Sequence, residues 1–481
     1  MKLSGVTLPR DTTRRATLLA LWNRLEASPA TATRVLWGAW AVTRLLLFVA
    51  LLLGHTYSDP QFYNYAGKLA AGQWPYRDYP VEYPPLALLL ILLPALPLLP
   101  FAAIAPRPDA AFAGVVTSFP HPNPLRYGAY GISFAVQMLL LDALTLWLVR
   151  RAALRFAPAD RYGLRSGLLY IALVFASGAL FQKFDLAAGL LCLVAVVATV
   201  ERRDGLAWAA LALATLLKGF PLLALPVLIG YQLYCSPRSG LLAALRDRAQ
   251  PLLRGAAAFA SVVLAWVLLI VLAGGGARLL GAIANQTARD TEIESLYGNI
   301  QLALGWLPGF GLHTAFSPPD LSRVVHSLLD PYANDVTRLA LGLFLLVTYL
   351  GLWRVIRMQR GQDRTDGRQL LAIAVAAALL SFTLAFRALP AHYLLAVLPL
   401  AALIRLPAAR TQRLWLLGLL VASLAGQCLA NPGVWQALVR LQPWAVALLS
   451  LRNMAWILAY AALLVALWSW PRKIVHATGQ G

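Results

Sequence analysis

Apolar residues run through this chain in long blocks separated by short polar and basic turns. A helix needs about 20 apolar residues to cross the hydrocarbon core of a membrane. Blocks of that kind, or slightly shorter, lie at 35–53, 127–149, 166–181, 186–200, 206–218, 220–234, 256–274, 337–353, 369–386, 392–404, 414–430 and 453–470, and they predict twelve crossings. A further block, 85–104 (PLALLLILLPALPLLPFAAI), is just as apolar. It carries Pro94, Pro97 and Pro100, which break a helix ladder. The sequence shows no internal repeat and no low-complexity tract.

Charge decides what this block does. Segment 150–165 holds Arg150, Arg151, Arg155, Arg161 and Arg165, and the N-terminal arm holds Lys2, Arg10, Arg14, Arg15, Arg24 and Arg34. Short basic segments mark the cytoplasmic side. Two crossings connect two cytoplasmic segments and three cannot, so 85–104 is expected not to cross. It would lie in the outer interface or dip in and return, leaving 54–126 extracytoplasmic. On this assignment both termini are inside. Cytoplasmic segments carry 27 Lys+Arg against 8 Asp+Glu, net +19, and extracytoplasmic ones, with Lys218 and Arg338 at the outer ends of their blocks counted in, 13 against 11, net +2.

Composition agrees. The chain has 481 residues, 60% apolar and 13% charged, with a mean hydropathy of +0.67. Average soluble domains are about 45–50% apolar and about 25% charged. A soluble enzyme, a disordered chain and a fibrous protein are excluded. The net charge of +21 would suggest nucleic acid in a soluble protein, but the inside bias accounts for it. Cys192, Cys235 and Cys428 are far apart and give neither a disulfide framework nor a metal spacing. The first apolar block follows a basic arm of about thirty residues and reads as a signal anchor. The expected organisation is a cytoplasmic arm (1–34), a transmembrane catalytic module (35–274) with its first outer loop (54–126), an extracytoplasmic loop (275–336) and a C-terminal transmembrane module (337–481).

Polar residues at membrane depth need a reason, because a charge near the bilayer centre costs several kcal/mol. Arg44 and Asp142 both sit about 12–15 Å from the inner end of their spans, at roughly 1.5 Å per residue. They read as a buried ion pair pinning the first two spans. The spans from 166 to 234 are short, which pulls their outward turns below the surface. Those turns are Phe181-Gln182-Lys183-Phe184-Asp185 and Lys218-Gly219-Phe220-Pro221. Irregular backbone at that depth lines protein or a wet cavity. Lys183 and Lys218 either face one pocket, where they suit a phosphate, or snorkel to the interface. Asp185 can pair with either lysine. The turn Phe386-Arg387-Ala388-Leu389-Pro390-Ala391-His392-Tyr393 adds Arg387 and His392 on the same side, with His392 equally readable as a structural histidine.

The first outer loop is dense in Tyr, Pro and carboxylates. It runs from His55-Thr56-Tyr57-Ser58-Asp59-Pro60-Gln61-Phe62-Tyr63 through Gly72-Gln73-Trp74-Pro75-Tyr76-Arg77-Asp78-Tyr79 to Glu82-Tyr83-Pro84-Pro85. Aromatic belts explain part of this. They do not explain an Asp at the mouth of a span beside a Tyr/Phe cluster. Asp59 is therefore a candidate general base, set against the reading of a solvated loop Asp. Tyr63, Glu82, Tyr83 and Asp185 are candidates for substrate contact.

The ordered set is a span, an Asp at its outer mouth, Gly-x-x-Pro-Tyr, an aromatic-Pro-Pro apolar segment, a span with a basic inner end, a polar-Asp turn, and Lys-x-aromatic-Pro. It resembles the GT-C superfamily of polyprenyl-phosphate-sugar-dependent glycosyltransferases. Within it, the chain is most similar to glycosyltransferase family 87, the bacterial alpha-mannosyltransferases. The eukaryotic dolichol-phosphate-mannose enzymes of GPI-anchor assembly share the layout. The match covers about 54–235 well. It covers Glu294-Ser295-Leu296-Tyr297-Gly298 and Pro390-Ala391-His392-Tyr393 more loosely.

The resemblance implies an all-α polytopic membrane protein of GT-C fold, with about 12 transmembrane helices and outer-face interfacial helices in the first loop. It implies an inverting transfer of a sugar, mannose in that family, from polyprenyl phosphate to a hydroxyl of a lipid-linked glycan. The site would lie on the extracytoplasmic face of the plasma (inner) membrane. Asp59 matches the family's catalytic Asp. Pro60 and Gln61 follow it, where some relatives continue Asp-x-Asp, so no metal and no cofactor are expected. Lys218 matches the Lys of Lys-x-aromatic-Pro, and Asp185 the polar turn. Lys183, Lys218, Arg387 and His392 would stabilise the leaving phosphate. The 275–336 loop, with Tyr297, Trp306 and Tyr332, is a candidate acceptor lid. Partners would be the lipid donor, the lipid-linked acceptor and membrane lipid, with no nucleic acid. The rival class is a transporter or a lipid or glycolipid flippase. That class favours repeats and spans broken at the midplane, whereas the polar groups here gather at one membrane face.

Overall fold

The computed structural model describes residues 24–54, 59–108, 124–238, 240–279, 290–305, 307–317, 322–359 and 364–470, with single residues 20, 22 and 281. Most of the basic arm, His55–Ser58 and Trp306 lie outside the described residues. In chain order the helices are α1 (Pro29–Leu52), α2 (Pro60–Ala70), α3 (Ala87–Leu92), α4 (Pro124–Phe156), α5 (Leu164–Ser177), α6 (Asp185–Val200), α7 (Asp204–Lys218), α8 (Leu225–Tyr234), α9 (Leu241–Leu272) and α10 (Leu296–Leu304). A hairpin, β1 (His313–Ser317) and β2 (Ser322–His326), follows. Then come α11 (Ala333–Gln359), α12 (Arg364–Ala385), α13 (Leu398–Ala401), α14 (Ala409–Leu429), α15 (Pro432–Val439) and α16 (Pro443–Trp468). The strands pair antiparallel, with Ala315 opposite Val324.

Among the described residues, seven helices are long and apolar enough to cross a membrane: α1, α4, α9, α11, α12, α14 and α16. With the shorter apolar helices between them, they make this an all-α polytopic membrane protein. The long helices divide by burial. Only 17% of the most apolar stretch of α1 and 11% of that of α9 is buried, against 83% in α12. The exposed Leu and Val rows of α1, α9 and α11 are surfaces for lipid. The interior is made of α12, α6 and the segment 391–404, which are buried over nearly their whole length.

All twelve predicted blocks fall on helical segments, but several differ from a full span. α5, α6 and α7 have 14, 16 and 15 residues. At about 1.5 Å per residue they run roughly 21–24 Å, short of the ~30 Å hydrocarbon core. Helix ends at that depth must meet protein or water. The block 166–181 stops being helix at Ser177, because Gly178 takes a left-handed φ of +59°. The block 392–404 is a 3-10 segment, Ala391–Ala396, followed by the four-residue α13, with Pro399 at its start. The last span begins ten residues early, at Pro443, and takes Arg452 inside. In 85–104, α3 passes directly into a 3-10 segment, Leu93–Leu98, where Pro94 and Pro97 remove ladder donors.

The expected Arg44–Asp142 pair is present and buried. Arg44 donates through Nε to Asp142 Oδ2 at 2.7 Å and through Nη2 to Oδ1 at 3.1 Å. Trp40 and Tyr170 donate to the same carboxylate, and Arg44 Nη1 donates to the Ile171 carbonyl. The pair therefore ties α1, α4 and α5 with every charge satisfied.

Candidate active site

Two glycines create the turns that carry the lysines. Gly178 ends α5, and Gly219, at φ +71°, ends α7. Left-handed backbone is cheap only for glycine, so each helix stops there and the chain turns sharply. The first turn delivers Lys183 and then Asp185 at the start of α6. The second leaves Lys218 as the last residue of α7, with Phe220 and Pro221 beginning the next 3-10 segment.

Asp59 caps α2. Its Oδ1 accepts from Gln61 N at 2.9 Å, and Pro60 occupies the first turn, where a missing N–H costs nothing. The cap fixes the carboxylate's direction. Its other oxygen, Oδ2, lies 3.1 Å from Lys183 Nζ. Lys183 also donates to the Tyr83 hydroxyl at 2.9 Å. Phe62, one turn into α2, stacks on Phe184 with centroids 5.3 Å apart and meets Tyr83 edge-on at 5.6 Å. The first loop and the Lys183 turn thus share one aromatic core.

Lys218 also lies against the Tyr83 ring. Its Nζ is 3.3 Å from Asp185 Oδ1, and rings of Phe184, Tyr393 and Tyr83 surround it at 5.0, 5.3 and 5.4 Å. Cation–π attraction lets an ammonium sit in such a dry place. Asp185 is fully buried at the positive end of α6, and His392 Nε2 lies 3.8 Å from its Oδ2. Glu82 is buried within electrostatic reach of both lysines. The loop bearing Glu82 and Tyr83 is tied to α7 by a backbone bond from Leu86 N to Leu216 O at 3.1 Å.

Electrostatics follow from this packing. Burial opposes charge on Lys183, but Tyr83, Asp59 and Glu82 outweigh it and hold the ammonium well above the usual lysine range. Burial pushes the Tyr83 phenol well up, so it remains a neutral hydroxyl. The cluster combines fixed cations, which suit an anionic oxygen, with carboxylates, which suit a hydroxyl or its proton.

The structure brings together Asp59, Lys183, Lys218, Asp185, His392, Glu82 and Tyr83. Two expected residues stand elsewhere. Tyr63 is fully buried edge-on to Tyr127 and Tyr130, at 6.0 and 5.9 Å, and is a core ring. Arg387 interacts with Asp290, Tyr297 and Asp330, and its carbonyl accepts from Glu292 N at 2.9 Å. It lies against the second loop. Its turn meets residues 291–293, which bond to β2 through an isolated antiparallel bridge, Ile293 N to Arg323 O and Val325 N to Thr291 O.

The sequence reading missed Arg452 and underused Glu294. Arg452 is fully buried in α16 and donates to Glu294 Oε1 at 2.8 Å. Glu294 in turn interacts with Lys183. The available signal was an Arg-Asn pair interrupting an otherwise apolar helix face.

No protein-family model matches the chain, and no curated protein matches it. Among solved structures, the chain is similar to the crystal structure of ArnT from Cupriavidus metallidurans bound to undecaprenyl phosphate. Identity is 15% and the TM-score 0.42, over 91% of this chain and 76% of that one.

Proposed function

We propose that this protein is an inverting glycosyltransferase of GT-C type, moving a sugar, mannose on the family resemblance, from polyprenyl phosphate to a hydroxyl of a lipid-linked glycan. We place the reaction at the extracytoplasmic face of the inner membrane, with both termini cytoplasmic. The observation that carries the reading is the capped carboxylate of Asp59 beside Lys183, one tyrosine ring away from Lys218.

In this reading the donor phosphate binds Lys183 and Lys218, and His392 lies within reach of the same cluster. The phosphate competes with Asp59 for Lys183 and releases the carboxylate. Asp59 then takes the acceptor hydroxyl proton. The acceptor oxygen bonds to the anomeric carbon as the bond from that carbon to the phosphate oxygen breaks, and the electron pair leaves on the phosphate. Attack from the opposite face inverts the centre. One base suffices, because phosphate is a good leaving group once its charge is stabilised. Tyr83 keeps Lys183 oriented when Asp59 lets go.

The test is incubation of purified protein with labelled polyprenyl-phosphate mannose and a lipid-glycan extract. Transfer of label to the glycan lipid supports the reading. Movement of intact lipid across vesicles without transfer points instead to a flippase.

A further inference from the structure

Tyr76 stands in the left-handed backbone region, at φ +62°. That conformation is strained for a bulky residue and persists only where the surroundings enforce it. Here they do so from two directions. Tyr76 N donates to the Tyr79 carbonyl at 3.0 Å, and Asp78 Oδ2 accepts from Trp74 N at 2.6 Å, so the turn 74–79 is closed on itself. From outside, the chain leaving α9 presses on the buried Tyr76 side chain. A Cβ added at Gly275 would lie 2.9 Å from the Tyr76 Cβ, closer than two such carbons pack.

The enforced backbone sends the phenol inward. Tyr76 Oη donates to the main-chain carbonyl of Tyr83, and both residues are buried. Tyr83 precedes Pro84, which already restricts its backbone to extended conformations. The bond from Tyr76 adds the direction of its carbonyl. At the other end of the turn, Tyr79 stacks on Tyr65 of α2 with centroids 5.7 Å apart. One turn is thus moored both to the helix that Asp59 caps and to the backbone of Tyr83.

What Tyr83 carries gives this anchoring its consequence. Its hydroxyl accepts from Lys183 Nζ at 2.9 Å, and its ring lies 5.5 Å from that ammonium and 5.4 Å from Lys218 Nζ. One ring therefore meets both cations, and a shift of its backbone displaces it against both. We propose that Tyr76 is a positioning residue for the lysines that bind the donor phosphate: its hydroxyl fixes the Tyr83 backbone, and the Tyr83 side chain in turn fixes where Lys183 meets the phosphate. This role rests on the glycosyltransferase reading and assigns to the turn 74–79 the setting of donor affinity.

The test measures binding of undecaprenyl phosphate by the full-length protein in detergent, with thermal unfolding on the same samples. The variants are Tyr76→Phe, Tyr83→Phe, the two combined, and Gly275→Ala. Tyr76→Phe removes one hydroxyl and should weaken binding about two- to tenfold, the weight of one hydrogen bond. Tyr83→Phe should weaken it as well, and the combined variant should bind no more weakly than Tyr83→Phe alone, because the first residue acts through the second. Gly275→Ala keeps every hydroxyl but drives a methyl group at the Tyr76 Cβ. It should reproduce the loss, and it decides the question should Tyr76→Phe fail to fold. In transfer assays the change should fall on KM for the donor, with kcat near the wild-type value. Unchanged binding in Tyr76→Phe or in Tyr83→Phe, full additivity in the combined variant, or a fall in kcat at constant KM overturns the positioning role and leaves the broader reading standing. A wild-type protein that does not bind undecaprenyl phosphate and does not transfer the sugar overturns both.

Discussion

Lys183 bridges Asp59 and Tyr83, at 3.1 Å to the carboxylate and 2.9 Å to the hydroxyl. The ammonium is held by two residues of the first loop while its own backbone belongs to the turn after α5. In the proposed reaction this bridge is the resting lock. Asp59→Asn keeps the cap geometry and removes the base. Transfer should fall about 10²–10⁴-fold with donor binding near normal. An Asp59→Asn protein that transfers at the wild-type rate removes the base assignment.

Lys218 and Asp185 are buried as a pair. Lys218→Met removes the nearest cation from a fully buried carboxylate and should lower stability by about 3–5 kcal/mol. Lys218→Met combined with Asp185→Asn should recover much of that loss, and both should lack donor binding. Denaturant titration and lipid binding on the same samples separate the two effects. Recovery of stability together with recovery of binding argues against a phosphate role for Lys218.

The Arg44–Asp142 pair gives the opposite pattern. Arg44→Met strands Asp142 between Trp40 and Tyr170, and should destabilise by about 3–5 kcal/mol. The turnover of the remaining folded protein should stay at the wild-type value. A fall in turnover without loss of stability would make this pair part of the chemistry.

Glu294 provides a pH test. Burial pushes its carboxyl above the ordinary 4.5, and Arg452 and Lys183 pull the other way without cancelling it. A carboxyl raised by folding costs stability above its unfolded pKa, and that cost fades as pH falls through the folded value. Wild type should therefore gain stability relative to Glu294→Gln between neutral pH and 4.5, measured by thermal unfolding. A relative loss on acidification would reverse the assignment.

The expected outer-face position of 85–104 is open to labelling. Ala103 is exposed just beyond the 3-10 segment, whereas Ala110, equally suitable by sequence, lies outside the described residues. A single cysteine at 103, in a background lacking the exposed Cys428, should react with impermeant reagents from the extracytoplasmic side. Reaction only from the cytoplasm would overturn the parity argument.

Much of the helical layout was legible because apolar blocks and basic turns are local features. Arg44 and Asp142 were legible as a pair because both interrupt apolar helices at matching depth. Asp59, Lys183, Lys218 and Asp185 were legible as polar groups at turns. Their mutual distances were not, since these depend on Gly178 and Gly219 ending two helices in register. The contact of Arg387 with the second loop was not legible, because residues 291–293 bond to β2, a long-range pairing with no local signature. Arg452 was counted as a loop charge because the Arg452-Asn453 pair interrupts an apolar stretch that the helix runs straight through.

The division between lipid-facing and enclosed helices has a mechanical consequence. Bilayer thickness acts on helices that touch lipid, through tilt and hydrophobic mismatch. α1, α9 and α11 present such faces, whereas α6 and residues 391–404 are enclosed. A change of membrane thickness is absorbed as tilt by the periphery. The spacing between Asp59 and Lys218 is set instead by the enclosed turns and by the Leu86–Leu216 backbone bond. The spacing of the proposed site is thereby held by protein packing rather than by the lipid around it.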